Sequence, residues 1–469
     1  MNPAPSAPSA RPPGETSERS TILRHALTVL AGQLAVMAFG VTDTIVAGRH
    51  SQASLAALSV GSAIFVSVYV SLMGMLQALL PIWAEHRGAH QWPAIGRSLR
   101  QSLYLCLLAS LLGMLVLAAP GPVLRWTEVP EALQEEVRRY LGVLALALPP
   151  ALLFRLYSTL NQSLGRPQFV AWLQVGSLAL KIPLSIWFTF GGAGLQAQGA
   201  VGCAWATLVV NYALLGLALW LLRTQSLYTP LQIWRRLERP DWGQIGSFAR
   251  LGVPAGLAIL VEVTSFTLMA LFIARQGNLS AASHQIASNL TAVLYMVPLS
   301  LAIATSARVS YWRGAQREEQ ARSVVFMGFW LAVLISCALS AILFIAKEPL
   351  ARAYTQDPEV IAMTLMLLGW VAIYHMADAV QTVCVFVLRC YRITVLPLVT
   401  YCALLWGGGL AGGYVLAYRH WGPWAGETPS PAPFWSASAL ALAVTAALFA
   451  VLLLKTVRRL STKAAPPAH

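Results

Sequence analysis

The chain has 469 residues, of which 57% are hydrophobic and only 11% charged, less than half the roughly 25% charged content of an ordinary soluble domain. Most of its surface therefore meets lipid rather than water, which excludes a soluble fold. The net charge of +14 would suit a nucleic-acid binder, but the basic residues sit in short loops between apolar runs. There they report membrane orientation, and no nucleic-acid partner is expected.

Residues 1–21 are rich in Pro, Ser and Ala and read as a disordered cytoplasmic tail. The apolar run that follows is too long for a signal-peptide core and lacks a convincing cleavage site, so it is expected to be retained. Runs able to hold the ~20 residues a bilayer requires recur near 22–47, 55–84, 100–120, 141–163, 168–190, 199–222, 248–274, 281–307, 323–346, 360–388, 394–417 and 434–455. If the termini and every second loop face one side, that side carries 22 of the 32 Lys and Arg. The other side carries eight, and Arg155 and Lys181 lie inside spans. The richer side is expected to be cytoplasmic, with both termini on it.

The basic loop after the sixth span divides the chain into an N-terminal lobe, 22–222, a cytoplasmic linker, 223–247, a C-terminal lobe, 248–457, and a cytoplasmic tail, 458–469. The halves resemble each other. The stretch Ser54–Ser59 is similar to Leu279–His284, and Arg97-Ser98 to Arg322-Ser323, both at an offset of 225. Leu164-Gly165-Arg166 pairs with Leu388-Arg389-Cys390 at 224. Six spans per half give both copies the same orientation. The expected fold is thus an all-α integral membrane protein, twelve transmembrane helices in two six-helix lobes related by a pseudo-twofold axis along the membrane normal.

Five ionisable residues fall well inside spans: Asp43, Arg155, Lys181, Glu262 and Asp378. Each is costly in lipid and calls for a partner or a wet cavity. Glu262 lies twelve residues past Arg250 and Asp378 eleven before Arg389. At the helical rise these are depths of roughly 18 and 17 Å from the same edge. Two carboxylates at one depth are suited to share a proton or to hold a sodium ion, which makes Glu262 and Asp378 the candidate cation ligands. Tyr374, His375, Gln381 and Thr382 form a polar stripe with Asp378, so His375 and Gln381 are expected to line the cavity, with His375 also a candidate hydrogen-bond partner of Asp378. Gln285 and Asn289 are cavity candidates on the eighth span. Asp43 is a further acid for substrate or proton, and Lys181 stands at a height where it can pair with it. The Trp residues mostly lie near span ends, where interfacial anchoring accounts for them. The six cysteines show no ligand spacing. No phosphate-binding Gly-rich loop is present, so transport must draw on an ion gradient, and no organic cofactor is expected.

Val41-Thr42-Asp43-Thr44-Ile45, Gly252-Val253-Pro254 with Glu262, Tyr374 with Asp378, and Leu164-Gly165-Arg166-Pro167 occur in order on a twelve-span frame. This combination resembles the multidrug and toxic compound extrusion (MATE) family, in its NorM-like bacterial branch, over about 22–457. The resemblance implies a proton- or sodium-coupled antiporter of drug-like organic cations in a bacterial cytoplasmic (inner) membrane, acting as a monomer and not as an enzyme. It implies that Glu262, Tyr374 and Asp378 hold the coupling ion and that Asp43 serves proton coupling and substrate handling. Where many members have Asn in the fifth span, this chain has Lys181 and Ser185. The alternative is a flippase for a lipid-linked or amphipathic substrate, for which Arg155 and Lys181 would be the phosphate-holding cations against three acids. An integral membrane enzyme would need catalytic groups clustered at one interface, and none are found.

Overall fold

The computed structural model describes residues 17–126, 130–192, 194–419 and 430–464. Its twelve helical segments long and apolar enough to cross a membrane coincide with the twelve expected runs. They are longer than the bilayer needs, because polar and charged turns extend most of them at one or both ends. Helix α1 runs Glu18–His50, so the tail expected at 1–21 gives way to helix before its end; residues 1–16 lie outside the described residues. The last helix, α15, runs Ala432–Ala464 and takes in part of the expected tail 458–469, of which 465–469 lie outside the described residues.

The second span is divided. Helix α2, Gln52–Gln77, gives way to α3, Leu80–Gly88, which carries Pro81 in its first turn; proline supplies no N–H and favours such a start. Helices α4 (Trp92–Ala118), α5 (Gly121–Trp126), α6 (Glu131–Ser163), α7 (Gln168–Phe190) and α8 (Ala200–Thr224) complete the first half. In the second half come α9 (Trp242–Ala274), α10 (Asn278–Gly314), α11 (Glu318–Tyr354), α12 (Pro358–Cys390), α13 (Val395–Tyr401) and α14 (Gly412–Tyr418). Between α13 and α14 the eleventh span winds as a π-helix over Cys402–Ala411. That stretch contains Gly407-Gly408-Gly409, which tolerate the wider turn, and such turns recur at functional sites.

Two buried apolar cores segregate by half. One runs from Val46 to Leu231 with Phe248. The other runs from Ala258 to Val457 and also takes Ile22, Ala26, Val29 and Leu80 from the first half. The linker is not loose. Arg100, at the start of α4, donates to the Gln232 carbonyl at 2.7 Å and to Glu238 at 2.8 Å. Tyr104 donates to the Glu238 carbonyl at 2.7 Å, and Gln101 bonds the Arg239 carbonyl and the Asp241 N–H.

Local geometry repeats between the halves. His90 and Gln316, 226 positions apart, both take positive φ, and so do Gly165 and Arg392, 227 apart. Arg87 donates to the Ser163 carbonyl as Arg313 does to that of Cys390. The sequence register of 225 is thus short by one residue at α2–α4. The match of Leu164 with Leu388 is short by three, because the helix end after Ser163 corresponds to the end after Cys390. At the crossing of α3 and α10, a Cβ on Gly88 would run into the Tyr311 carbonyl and one on Gly314 into that of Glu85. Reciprocal contact between corresponding residues is the mark of a twofold relation.

Candidate functional site

In the first half, Asp43 (α1) is buried against α7 and α8. Lys181 Nζ lies 2.8 Å from Asp43 Oδ1, and Ser185 donates to the same oxygen at 3.0 Å. The ammonium also donates to Thr207 Oγ1 at 2.7 Å and to the Cys203 carbonyl at 3.1 Å. Lys181 is fully buried and Asp43 is 8% exposed. The ion pair expected from their heights is present. It also occupies the carboxylate that the sequence offered to substrate or proton, at the position where the residue pattern departs from the family. Buried charges require this kind of satisfaction.

The second half holds the acid pair. Asp378 is 2% exposed and accepts a bond from Gln381 Nε2 at 2.9 Å. The same amide bonds Thr382 at 3.1 Å, and its oxygen accepts from the Tyr401 hydroxyl. Gln381 is therefore a buried ligand of the carboxylate rather than a cavity wall. Glu262 on α9 is half-buried. Phe266, one turn beyond Glu262, packs edge-on at 5.7 Å against Tyr374, one turn before Asp378, which places the two acids on helices that meet at this level. Glu262 and Tyr374 line a common cavity with Ser265, Phe266, Leu405, Gly409 and Ser438. It has room for little more than one water-sized group. Trp406, in the π-helix, donates to the Val261 carbonyl beside Glu262 at 3.2 Å.

Other expectations are corrected. His375 is 1% exposed, bonds no carboxylate, and its Nε2 has no hydrogen-bond partner among the described residues. It does not line the cavity that holds Glu262 and Tyr374. Gln285 and Asn289 are exposed and bond each other at 3.2 Å, away from the acid-pair cavity. Arg389, read as a loop charge, is 3% exposed and stacks over the Phe386 ring at 4.3 Å. Trp435, near a span end, is not an interfacial anchor. It is fully buried, 6.0 Å from the Tyr374 ring and 6.2 Å from that of Phe266, and its indole donates to His284 at 3.2 Å. Sequence reasoning missed Arg389, Tyr401 and Trp435. The signal for Arg389 was its place on the same uninterrupted helix as Asp378; for the two aromatic residues there was none.

These features define a polytopic helical membrane protein of repeated halves, with a neutralised ion pair in one half and an acid pair beside a small cavity in the other. The profile of the MatE family matches residues 29–187 and 254–415, one stretch in each half, and the chain belongs to that family. It is 35% identical over 452 residues to a probable multidrug resistance protein NorM of Aromatoleum aromaticum, covering 96% of this chain and 97% of that protein. It is 31% identical to the multidrug resistance protein PmpM of Pseudomonas aeruginosa, covering 97% and 95%. Its fold is similar to the crystal structure of the eukaryotic MATE transporter AtDTX14, with a TM-score of 0.83 and 20% identity over 94% of this chain and 98% of that one.

Proposed function

We propose that the protein is a secondary active antiporter that exports drug-like organic cations across a bacterial inner membrane in exchange for protons or sodium ions. The observation that carries this reading is the cavity of water size that Glu262 and Tyr374 line together, with Asp378 one turn along the same helix from Tyr374. Carboxylates so placed repel when both are ionised and are relieved by a proton or a small hard cation. Tyr374 supplies a further oxygen at the cavity wall. Filling the site favours one arrangement of the helices around it, and a two-state bundle converts that preference into access from one side or the other. Substrate and ion need not touch; each favours the opposite state. No ligand other than this ion is required, and the chain acts as a monomer in the bilayer. Relatives named for multidrug resistance favour this reading over the lipid flippase.

Vesicles loaded with an organic cation such as ethidium, under an imposed pH or sodium gradient, test it. Glu262→Gln and Asp378→Asn should each reduce gradient-driven transport at least tenfold while the protein remains inserted and monodisperse. The gradient that drives the wild type names the ion. Transport by both variants at the wild-type rate would remove the pair from coupling.

A further inference from the structure

Arg155 belongs to neither cluster described above. It is on α6, 5% exposed, and its guanidinium makes no hydrogen bond or ion pair among the described residues, with Nε and Nη2 both buried and unpartnered. An unpaired buried arginine is among the costliest arrangements a protein can hold. It lines a pocket between α1, α6 and α7 whose polar wall is made of Thr28, Gln33, Ser158, Gln162 and Gln174. All are neutral and no carboxylate is among them; Thr28 gives its hydroxyl proton to the Arg24 carbonyl at 2.8 Å, which leaves Gln33, Ser158, Gln162 and Gln174 as donors. Gln162 adds a second unpaired atom: its Oε1 has no partner, while its Nε2 bonds Ser158 at 3.2 Å. Exchanging the amide ends leaves Ser158 as donor to the oxygen and turns an N–H toward the vacant position.

We propose that this pocket binds a small monovalent anion of chloride size as the counter-ion of Arg155. The charge calls for an anion, and the ring of neutral donors suits one that takes several weak hydrogen bonds. The space lets a water-sized sphere shift about its position, which admits one small ion and excludes a lipid phosphate or an aromatic substrate. The site stands apart from the acid pair, so it does not depend on the antiport reading.

Thermal unfolding of the full-length protein in detergent, at fixed ionic strength, tests the site by replacing sodium gluconate, whose anion is too large, with sodium chloride. A ligand that binds only the folded state stabilises it in a saturable way. The wild-type midpoint should rise by several degrees and level off. Arg155→Gln should not respond, and in gluconate it should be at least as stable as the wild type because the unpaired charge is gone. Gln162→Glu, which supplies a tethered carboxylate, should likewise lose the response. A wild-type midpoint indifferent to chloride overturns the proposal even if Arg155→Gln fails to fold, as does an Arg155→Gln protein that responds as the wild type does.

Discussion

Lys181 is the residue that sets this chain apart, and its consequence is local. Its ammonium is placed where a proton or cationic ligand would otherwise neutralise Asp43. Removing one partner of a buried pair leaves the other uncompensated, at about 3–5 kcal/mol, whereas removing both is often close to neutral. Lys181→Met should therefore lower the unfolding midpoint of the purified protein sharply, and Asp43→Asn should also lower it. The double variant should recover most of the loss. Additive losses in the double variant would mean that the 2.8 Å contact contributes nothing beyond packing. The pair itself was legible in the sequence, because the helical rise placed both residues at compatible heights. That Ser185 would complete it was not, since a hydroxyl one turn from a lysine carries no long-range signal.

Among the elements, the spans were legible because twenty apolar residues have few alternatives in a bilayer. Less visible were the break between α2 and α3, the π-helix of the eleventh span and the burial of Trp435, which depend on what neighbouring helices present. Linker residues 223–241 illustrate the same limit: a charged loop in sequence, they are tied in the structure to α4 through Arg100, Gln101 and Tyr104. Glu238 lies outside the spans, and its hydrogen bond from Arg100 holds it below the ordinary carboxylate value of 4.5. A depressed folded-state value makes this contribution full above pH 4.5 and removes it as the pH falls through the lowered value. Amide exchange across the linker, corrected for intrinsic rates, should be slower in the wild type than in Glu238→Gln at pH 7. The two should converge once the pH falls below that lowered value, where the wild-type carboxyl is also protonated. Equal protection at pH 7 would show that the backbone contacts alone hold the linker.

For the whole molecule, the ion pairs between halves among the described residues fall at the end that carries the basic loops, and packing of Ser71 and Met75 against Gly252 and Gly256 continues the contact into the spans. Glu18 bonds Arg308 and Trp312, and Glu85 bonds Arg313 at 2.9 Å and Arg392 at 2.5 Å. Gly88 and Gly314 bring the two backbones together between them. The halves are therefore tied together at this end, and a transporter working by alternating access must open it in every cycle. The ion pairs there are partly exposed, so individually they hold little energy and are readily exchanged. The reciprocal glycine crossing holds the geometry, and the pairs bias it. Tethering this end should then stop the cycle without damaging either half. In Glu18→Cys with Arg308→Cys, a short cleavable thiol cross-linker should reduce ethidium transport at least tenfold, and cleaving the linker should restore it. Proteins carrying only one of the two introduced cysteines, and the wild type with its six native ones, should be unaffected by the same reagent, which separates tethering from modification. Undiminished transport by the cross-linked protein would mean that this end does not open during the cycle.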